Sequence, residues 1–276
     1  MPELFKKDDF KDNCGFGLIA NINGISSRKI VTDSIKALVS MTHRGGIGSD
    51  GKTGDGCGLL VDIDKDFYKE ALFKEQKIKL PDRYAIGQMF LYSNINELLP
   101  KIKNILKSEN LELITFREVP INKKVLGKIA LHYLPNIYQI FISPNNQNDD
   151  EKDFQTSLLQ ARKFIEEIYL DDEKLYFCSL SSKTIIYKGL MLPNDINNFY
   201  IDLKSKEFKS SICVFHQRFS TNTSPRWHLA QPFRYLAHNG EINAIRGNRN
   251  WVKARSSIFS TPLIPKIQQF KQIVNE

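Results

Sequence analysis

The chain has few cysteines, and they lie far apart. Its 276 residues include Cys14, Cys57, Cys178 and Cys213, and no two of these form a CxxC pair. Because zinc and iron–sulfur sites usually depend on closely spaced thiols, the sequence predicts no metal site in this chain. The even number of cysteines is compatible with disulfides, but the start of the chain favours a reducing compartment.

Long apolar runs are also missing. No stretch approaches the roughly 18 consecutive apolar residues that indicate a membrane-spanning helix. Residues 1–13, MPELFKKDDFKDN, alternate in charge and lack the apolar centre of a secretory signal. We therefore expect a cytoplasmic protein that does not cross a membrane.

Clusters of one charge sign are absent as well. The formal net charge is +8, and such an excess attracts nucleic acid or another anionic partner when it is gathered on one surface. Here the lysines are scattered among acids, as in residues 6–9 and 149–153. This pattern predicts solvated faces and no nucleic-acid partner. The sequence also has no internal repeat and no linker, which favours one domain.

The apolar residues that are present indicate a mixture of helices and strands. Helices are predicted at 29–42, 95–107 and 153–169. Strands are predicted at 15–22, 59–63, 84–92, 111–118, 126–142, 175–181, 184–190 and 212–215. The strands at 175–181 and 184–190 resemble the two arms of a hairpin.

Glycine is concentrated in one segment. Seven of the fifteen glycines fall between Gly45 and Gly58, more than a loop ordinarily requires. Glycine permits positive φ angles and close backbone approach at an entropic cost. A glycine-rich segment in the middle of a domain therefore indicates a loop that lines a site.

Cys14 lies immediately before the first predicted strand. A cysteine in such a place is more often a small buried apolar side chain than a nucleophile. The rest of the chain, however, offers candidates for each part of a thiol attack on a carboxamide: a base, a group for the charged end of the substrate, and donors for an oxyanion.

Two short runs carry the candidate binding groups. Arg218 and Thr221 follow the strand predicted at 212–215, and the planar guanidinium of an arginine binds a carboxylate through two hydrogen bonds. The side-chain amide of Asn239 and the backbone N–H of Gly240 are adjacent donors that suit one oxyanion. In isolation, a surface ion pair and an Asn-Gly turn are the simpler explanations of these runs.

The candidate base is an amine. The histidines at 43, 132, 216 and 228 have no neighbouring partner pattern, so structural roles are favoured for them. Cleavage between Asn13 and Cys14 would give Cys14 a free α-amine with an ordinary pKa of roughly 7.7–8.0, which suits proton transfer near neutral pH.

Two segments together resemble a known family. They are CGFGLIAN at 14–21, continuing through THRGGIGSDGKTGDGCGLL at 42–60, and HQRFSTNTSPRWHLAQPFRYLAHNGEINAIRGNRNW at 216–251. Both are similar to the class II glutamine amidotransferases of the N-terminal-nucleophile hydrolase fold, and in particular to those of glutamate synthase large subunits. The likeness extends, more faintly between 93 and 210, from Cys14 to the end of the chain.

The resemblance implies a fold and a set of roles. The implied fold class is α+β, a four-layer α-β-β-α sandwich. Cys14 resembles the nucleophile, Arg218 the residue that binds the α-carboxylate of glutamine, and Thr221 its helper. Asn239 and Gly240 resemble the pair that binds the oxyanion. The implied reaction is hydrolysis of L-glutamine to glutamate and ammonia, for the reductive amination of 2-oxoglutarate in ammonia assimilation.

The resemblance also implies how the chain is organised. Residues 1–13 resemble a leader removed on maturation, and residues 14–276 a glutamine amidotransferase domain that is truncated at its C-terminal end. No cofactor is expected in this chain, while FMN and an iron–sulfur cluster are expected in the downstream synthase domains of the same polypeptide. A reductase small subunit is a further implied partner.

Two alternatives stay open from the sequence. One is a class II amidotransferase that delivers ammonia to a different acceptor, with the same chemistry at Cys14. The other is a non-catalytic binding module that retains its leader.

Overall fold

The computed structural model describes residues 15–169, 174–217, 224–234 and 245–271. Within these ranges, eight strands form two four-stranded sheets. The strands are β1 (Phe16–Ala20), β2 (Cys57–Asp62), β3 (Ala85–Leu91), β4 (Leu111–Glu118), β5 (Asn136–Pro144), β6 (Leu175–Ser181), β7 (Thr184–Gly189) and β8 (Ile212–Gln217).

Both sheets are antiparallel. The first has the strand order β1-β8-β2-β7, and the second has the order β4-β5-β3-β6. Two antiparallel sheets with accompanying helices confirm the predicted mixture of α and β structure.

In the described ranges the helices are α1 (Arg28–Ser40), α2 (Lys65–Gln76), α3 (Ile95–Ser108), α4 (Lys128–His132), α5 (Glu151–Glu166), α6 (Ile196–Phe199), α7 (Ile201–Lys204) and α8 (Arg246–Arg255). Along the described chain, α1 to α7 lie between strands and α8 follows β8. None of these helices combines the length and the apolar character needed to cross a membrane.

Local sequence explains the longer helices. The Ser27 side chain accepts a hydrogen bond from the backbone N–H of Ile30 and so caps α1. Asn94 caps α3 in a similar way. The helix predicted at 153–169 has an apolar stripe at helical spacing, and four of its five residues are buried in α5, as amphipathic spacing requires: Phe154, Leu158, Ala161 and Ile165. The fifth, Ile168, lies beyond the end of α5 and is only partly buried.

Two apolar clusters form the core. The first contains side chains from both sheets, such as Leu59 and Tyr187 of the first and Phe141 of the second, together with the buried faces of α1 and α2. The second cluster joins the second sheet to α3 and α5. The shared first cluster fixes one sheet relative to the other.

Three predictions of local structure differ from the observed fold. The strand predicted at 126–142 is wrong in its first part, because α4 occupies 128–132 and β5 begins only at Asn136. The hairpin predicted from 175–181 and 184–190 is wrong, because β6 pairs with β3 and β7 pairs with β2. The helix α2 has no counterpart among the predicted helices.

Candidate active site

The five predicted site residues lie outside the described ranges. They are Cys14, Arg218, Thr221, Asn239 and Gly240. Their individual roles therefore stay predictions. The structure does describe residues next to some of them in the sequence, such as Gly15 and Gln217.

One backbone hydrogen bond joins the described neighbours of Cys14 and Arg218. The N–H of Gln217, at the end of β8, donates to the carbonyl oxygen of Gly15 at 2.5 Å. The same two strands place Phe16 opposite His216. In the sequence, Arg218 directly follows Gln217, and Cys14 directly precedes Gly15.

The remaining strands of the first sheet end at the same edge. Cys57, the first residue of β2, lies opposite both Gln217 of β8 and Gly189 of β7. At this end of the sheet, β1 and β2 begin and β7 and β8 end. The glycine-rich segment leads into β2 at this end of the sheet.

An aspartate anchors the glycine-rich segment. The Asp50 carboxylate accepts hydrogen bonds from the hydroxyl and backbone N–H of Thr53, at 2.6 and 2.8 Å, and from the backbone N–H of Ile129 at 2.9 Å. The Thr53 hydroxyl oxygen accepts from the N–H of Ala130 at 3.1 Å. The segment is thereby fastened to the first turn of α4.

These bonds also set the charge of Asp50. The hydrogen bond from the Thr53 hydroxyl, followed by those from the backbone, lowers the pKa of Asp50 well below its ordinary value. The carboxylate is consequently ionised at any physiological pH.

Backbone freedom is used within the segment as predicted. Gly51 and Gly56 have φ angles of +69° and +123°, which side chains with a Cβ rarely adopt. An isolated bridge between Ile47 and Gly54 closes the loop on itself.

The three described cysteines are unsuited to nucleophilic attack. Burial raises the pKa of Cys178 and of Cys213 to about 12, and it raises the pKa of Cys57 further. Since the thiolate is the reactive form, these side chains are inert protonated thiols near neutral pH.

Comparison with known proteins identifies the family. The family of class II glutamine amidotransferases matches residues 14–276. The chain belongs to the class II glutamine amidotransferases. The prediction of this family from the sequence is confirmed.

Several proteins that are similar to this amidotransferase chain are glutamate synthases. The chain is 42% identical over 267 residues to ferredoxin-dependent glutamate synthase 1 of Arabidopsis thaliana, covering 93% of this chain and 16% of that protein. It is 39% identical over 268 residues to the glutamate synthase (NADPH) large chain of Bacillus subtilis, with 94% and 17% covered. It is 38% identical over 274 residues to glutamate synthase (NADH) of Saccharomyces cerevisiae, with 94% and 13% covered.

These relatives are much longer than the amidotransferase chain described above. The chain spans about a sixth of the length of the plant and bacterial proteins that it matches. It is therefore a glutamine amidotransferase domain homologous to one part of glutamate synthases.

Sequence reasoning missed the residues that anchor the glycine-rich segment of this amidotransferase domain. Asp50 and Thr53 were not singled out, although Asp50 followed by Gly51 is a recognisable turn signal. Their partners Ile129 and Ala130 are distant in the sequence, and no local pattern indicates that contact. Within the described residues, no group of three or more His, Cys, Asp or Glu side chains is arranged to hold a metal.

Proposed function

We propose that this domain performs the glutaminase half-reaction of a glutamate synthase, with Cys14 as its nucleophile. The observation that carries the proposal is the backbone bond between Gly15 and Gln217. It supports a site in which the Cys14 thiol and the Arg218 guanidinium act on the same small molecule. The two ends of glutamine, its side-chain amide and its α-carboxylate, suit these two groups.

Each remaining residue has a role in this scheme. Arg218 binds the α-carboxylate and Thr221 assists it, while the Asn239 amide and the Gly240 N–H donate to the oxyanion. The high pKa of the other thiols supports Cys14 as the nucleophile by comparison.

The chemistry has two steps. The Cys14 thiolate attacks the amide carbon of glutamine, the tetrahedral intermediate collapses, and the nitrogen leaves as ammonia after it receives a proton. Water then attacks the γ-glutamyl thioester, releases glutamate and restores the thiol. The α-amine of Cys14 accepts and returns the proton in both steps.

The amine base requires removal of residues 1–13. The family match begins at residue 14, which supports cleavage between Asn13 and Cys14. The nucleophile then carries its own base, and no histidine is needed for proton transfer.

The full-length protein is proposed to be a glutamate synthase. In that case its other domains hold FMN and an iron–sulfur cluster, receive the ammonia and aminate 2-oxoglutarate, with or without a reductase small subunit. The two antiparallel sheets support a four-layer α-β-β-α sandwich for the complete amidotransferase domain. The three free thiols support a reducing, cytoplasmic location.

The test compares the full-length wild-type protein with Cys14→Ala. Ammonia release from glutamine and the N-terminal sequence are measured for both. We expect the wild type to begin at Cys14 and to release ammonia. The variant should keep residues 1–13 and release none, because one thiol serves both reactions.

A matched variant, Cys213→Ala, removes a buried thiol and should retain both activities. Ammonia release by Cys14→Ala would overturn the nucleophile assignment. A wild type that retains its leader would favour a binding module instead. Glutamine hydrolysis without use of 2-oxoglutarate would favour another ammonia acceptor.

A further inference from the structure

We propose that Lys188 is a positioning residue for glutamine hydrolysis: it holds residues 227–234, here called the bridging segment, which lead into the oxyanion donors. This inference rests on the proposed function, because it assigns Asn239 and Gly240 to the oxyanion. The bridging segment is fully described, and Asn239 follows its last residue by only a few positions.

Lys188 is a completely buried lysine on β7. Its side chain has 0% of its surface exposed. Its ammonium group donates to the carbonyl oxygen of His228 at 2.8 Å and to the hydroxyl of Tyr176 at 3.2 Å. Among the described residues it forms no ion pair with a carboxylate. The ammonium is therefore committed to the bridging segment and to one side chain of β6.

Two aromatic rings also lie close to the ammonium group. The ammonium nitrogen lies 4.6 Å from the ring centroid of Tyr176 and 4.8 Å from that of Phe233. Aromatic rings attract a cation more strongly when both are removed from water. Because Phe233 belongs to the bridging segment, Lys188 contacts the segment at two places, the carbonyl oxygen of His228 and the ring of Phe233.

The bridging segment lies directly on the strands around Lys188. A Cβ atom on Gly58, the residue opposite Lys188 on β2, would lie 2.5 Å from the carbonyl oxygen of Gln231. A Cβ on Gly189 would lie 2.3 Å from the ring of Trp227. Glycine at these two positions therefore lets the bridging segment pack directly against β2 and β7.

The ends of the segment are fastened separately. The indole N–H of Trp227 donates to the carbonyl oxygen of Ala130 at 3.1 Å. Arg234 lies 3.7 Å from the carboxylate of Glu166 and 5.5 Å from the ring of Tyr176. Lys188 thus controls the middle of a segment whose ends are held on α4 and α5.

A loosened segment should affect the transition state more than substrate binding. The oxyanion exists only during the reaction, whereas the α-carboxylate of glutamine is bound throughout. Misplacement of donors by about 1 Å can cost roughly 100-fold in rate. Loss of Lys188 should therefore lower kcat and leave KM nearly unchanged.

The experiment uses Lys188→Met in the full-length protein, which keeps the length of the side chain but removes its charge and donors. Lys183→Met, at the exposed position directly before β7, is the matched control. We expect kcat for ammonia release to fall at least about tenfold, with KM for glutamine changed less than about threefold.

Two readouts separate positioning from general damage. Alkylation of Cys14 by iodoacetamide forms no oxyanion, so its rate should match the wild type in Lys188→Met. Hydrogen exchange should become faster in residues 227–234 and stay unchanged in β3 and β5. Phe233→Leu should lower kcat in the same direction, and the double variant should lose less than the sum of the two single effects.

Each contrary result has a distinct meaning. A wild-type kcat in Lys188→Met, or an equal loss in its alkylation rate, would overturn the positioning role while leaving the proposed function intact. Unchanged hydrogen exchange in the bridging segment would show that Lys188 does not hold this segment in place. A wild-type protein that releases no ammonia would overturn the proposed function and this inference together.

Discussion

Arg117 of β4 donates to both carboxylate oxygens of Asp202 in α7, at 3.0 and 3.2 Å. Both side chains are almost fully buried. The hydroxyl of Tyr187 in β7 donates to the same carboxylate at 3.0 Å, and Arg117 also donates to Gln139. The ion pair joins β4 of the second sheet to α7, and the Tyr187 hydrogen bond joins the same carboxylate to β7 of the first sheet.

The first prediction concerns this link. Burial by itself lowers the pKa of Arg117, but the Asp202 carboxylate outweighs it and raises the pKa above the ordinary value, so the guanidinium is charged. Asp202→Ala leaves that charge buried beside a single half-exposed acid, Glu75. We expect a loss of about 3–5 kcal/mol in the free energy of unfolding, measured by urea denaturation.

Two comparisons make this prediction specific. Asp33→Ala removes one partner of an exposed pair on α1 and should hardly move the urea midpoint. The double change Arg117→Met with Asp202→Leu should be less damaging than Asp202→Ala, because no charge stays buried. A loss in Asp202→Ala no larger than that in Asp33→Ala would contradict the link.

The second prediction concerns Asp50 and pH. Because hydrogen bonds depress its folded pKa below the ordinary value of 3.8, its contribution to stability is fully present above that pH and is lost as the pH falls below it. Asp50→Asn should be less stable than the wild type by a constant amount at pH 5–8. The difference should shrink below about pH 4.

Two measurements check this prediction. Unfolding free energies are compared across pH for the wild type, Asp50→Asn and Asp66→Asn, the last at an exposed position on α2. Hydrogen exchange at 48–54 should accelerate in Asp50→Asn alone. A stability difference that grows as the pH falls has the wrong sign for the proposed anchoring.

Elements with a strong local pattern were predictable from the sequence. The strand predicted at 111–118 coincides with β4, and the helix predicted at 95–107 coincides with α3 to within one residue. In α3 the buried residues Ile95, Leu98, Ile102 and Leu106 recur at helical spacing. In β4 the central residues Ile114, Thr115 and Phe116 are of the types that favour strands. Neighbouring residues therefore contain the information that determines the structure.

The errors arise where distant residues decide. The first turn of α4 receives its hydrogen-bond acceptors from Asp50 and Thr53, which lie 79 and 77 positions from their partners. The strands β6 and β7 are consecutive in the sequence, yet β6 belongs to the second sheet and β7 to the first. Pairing of this kind depends on the complete core and has no local signal.

The same reasoning applies to the site. Sequence motifs suggested Cys14 and Arg218, but nothing local indicates that the neighbouring residues Gly15 and Gln217 are hydrogen-bonded. The register of β1 and β8 supplies that relationship. Clamping of the bridging segment by Lys188 is likewise invisible in the sequence, where a lysine in a strand suggests an exposed face.

The third prediction concerns substrate binding. Arg218→Lys keeps the charge but loses the planar, two-point geometry for a carboxylate. KM for glutamine should rise about 10-fold or more, which corresponds to roughly 1.5 kcal/mol for a hydrogen bond to a charged group. Steady-state ammonia release measures it, with Arg255→Lys at the exposed end of α8 as the control.

An unchanged KM in Arg218→Lys would remove Arg218 from the carboxylate site. Loss of kcat alone would point to a contact made only in the transition state, which is the behaviour expected of the oxyanion donors and not of this residue.

The fourth prediction concerns the oxyanion. Asn239→Ala removes one donor from a charge that develops only in the transition state, so kcat should fall by about 100- to 1,000-fold, or roughly 2.7–4 kcal/mol, while KM for glutamine changes little. Asn194→Ala, a change at an asparagine near the start of α6, should leave both parameters at wild-type values. Iodoacetamide should alkylate Cys14 of Asn239→Ala at the wild-type rate, because that substitution needs no oxyanion donor. A parallel fall in alkylation and hydrolysis would instead mean that Asn239 supports the thiol, and the amide would have to be reassigned from the oxyanion to the nucleophile.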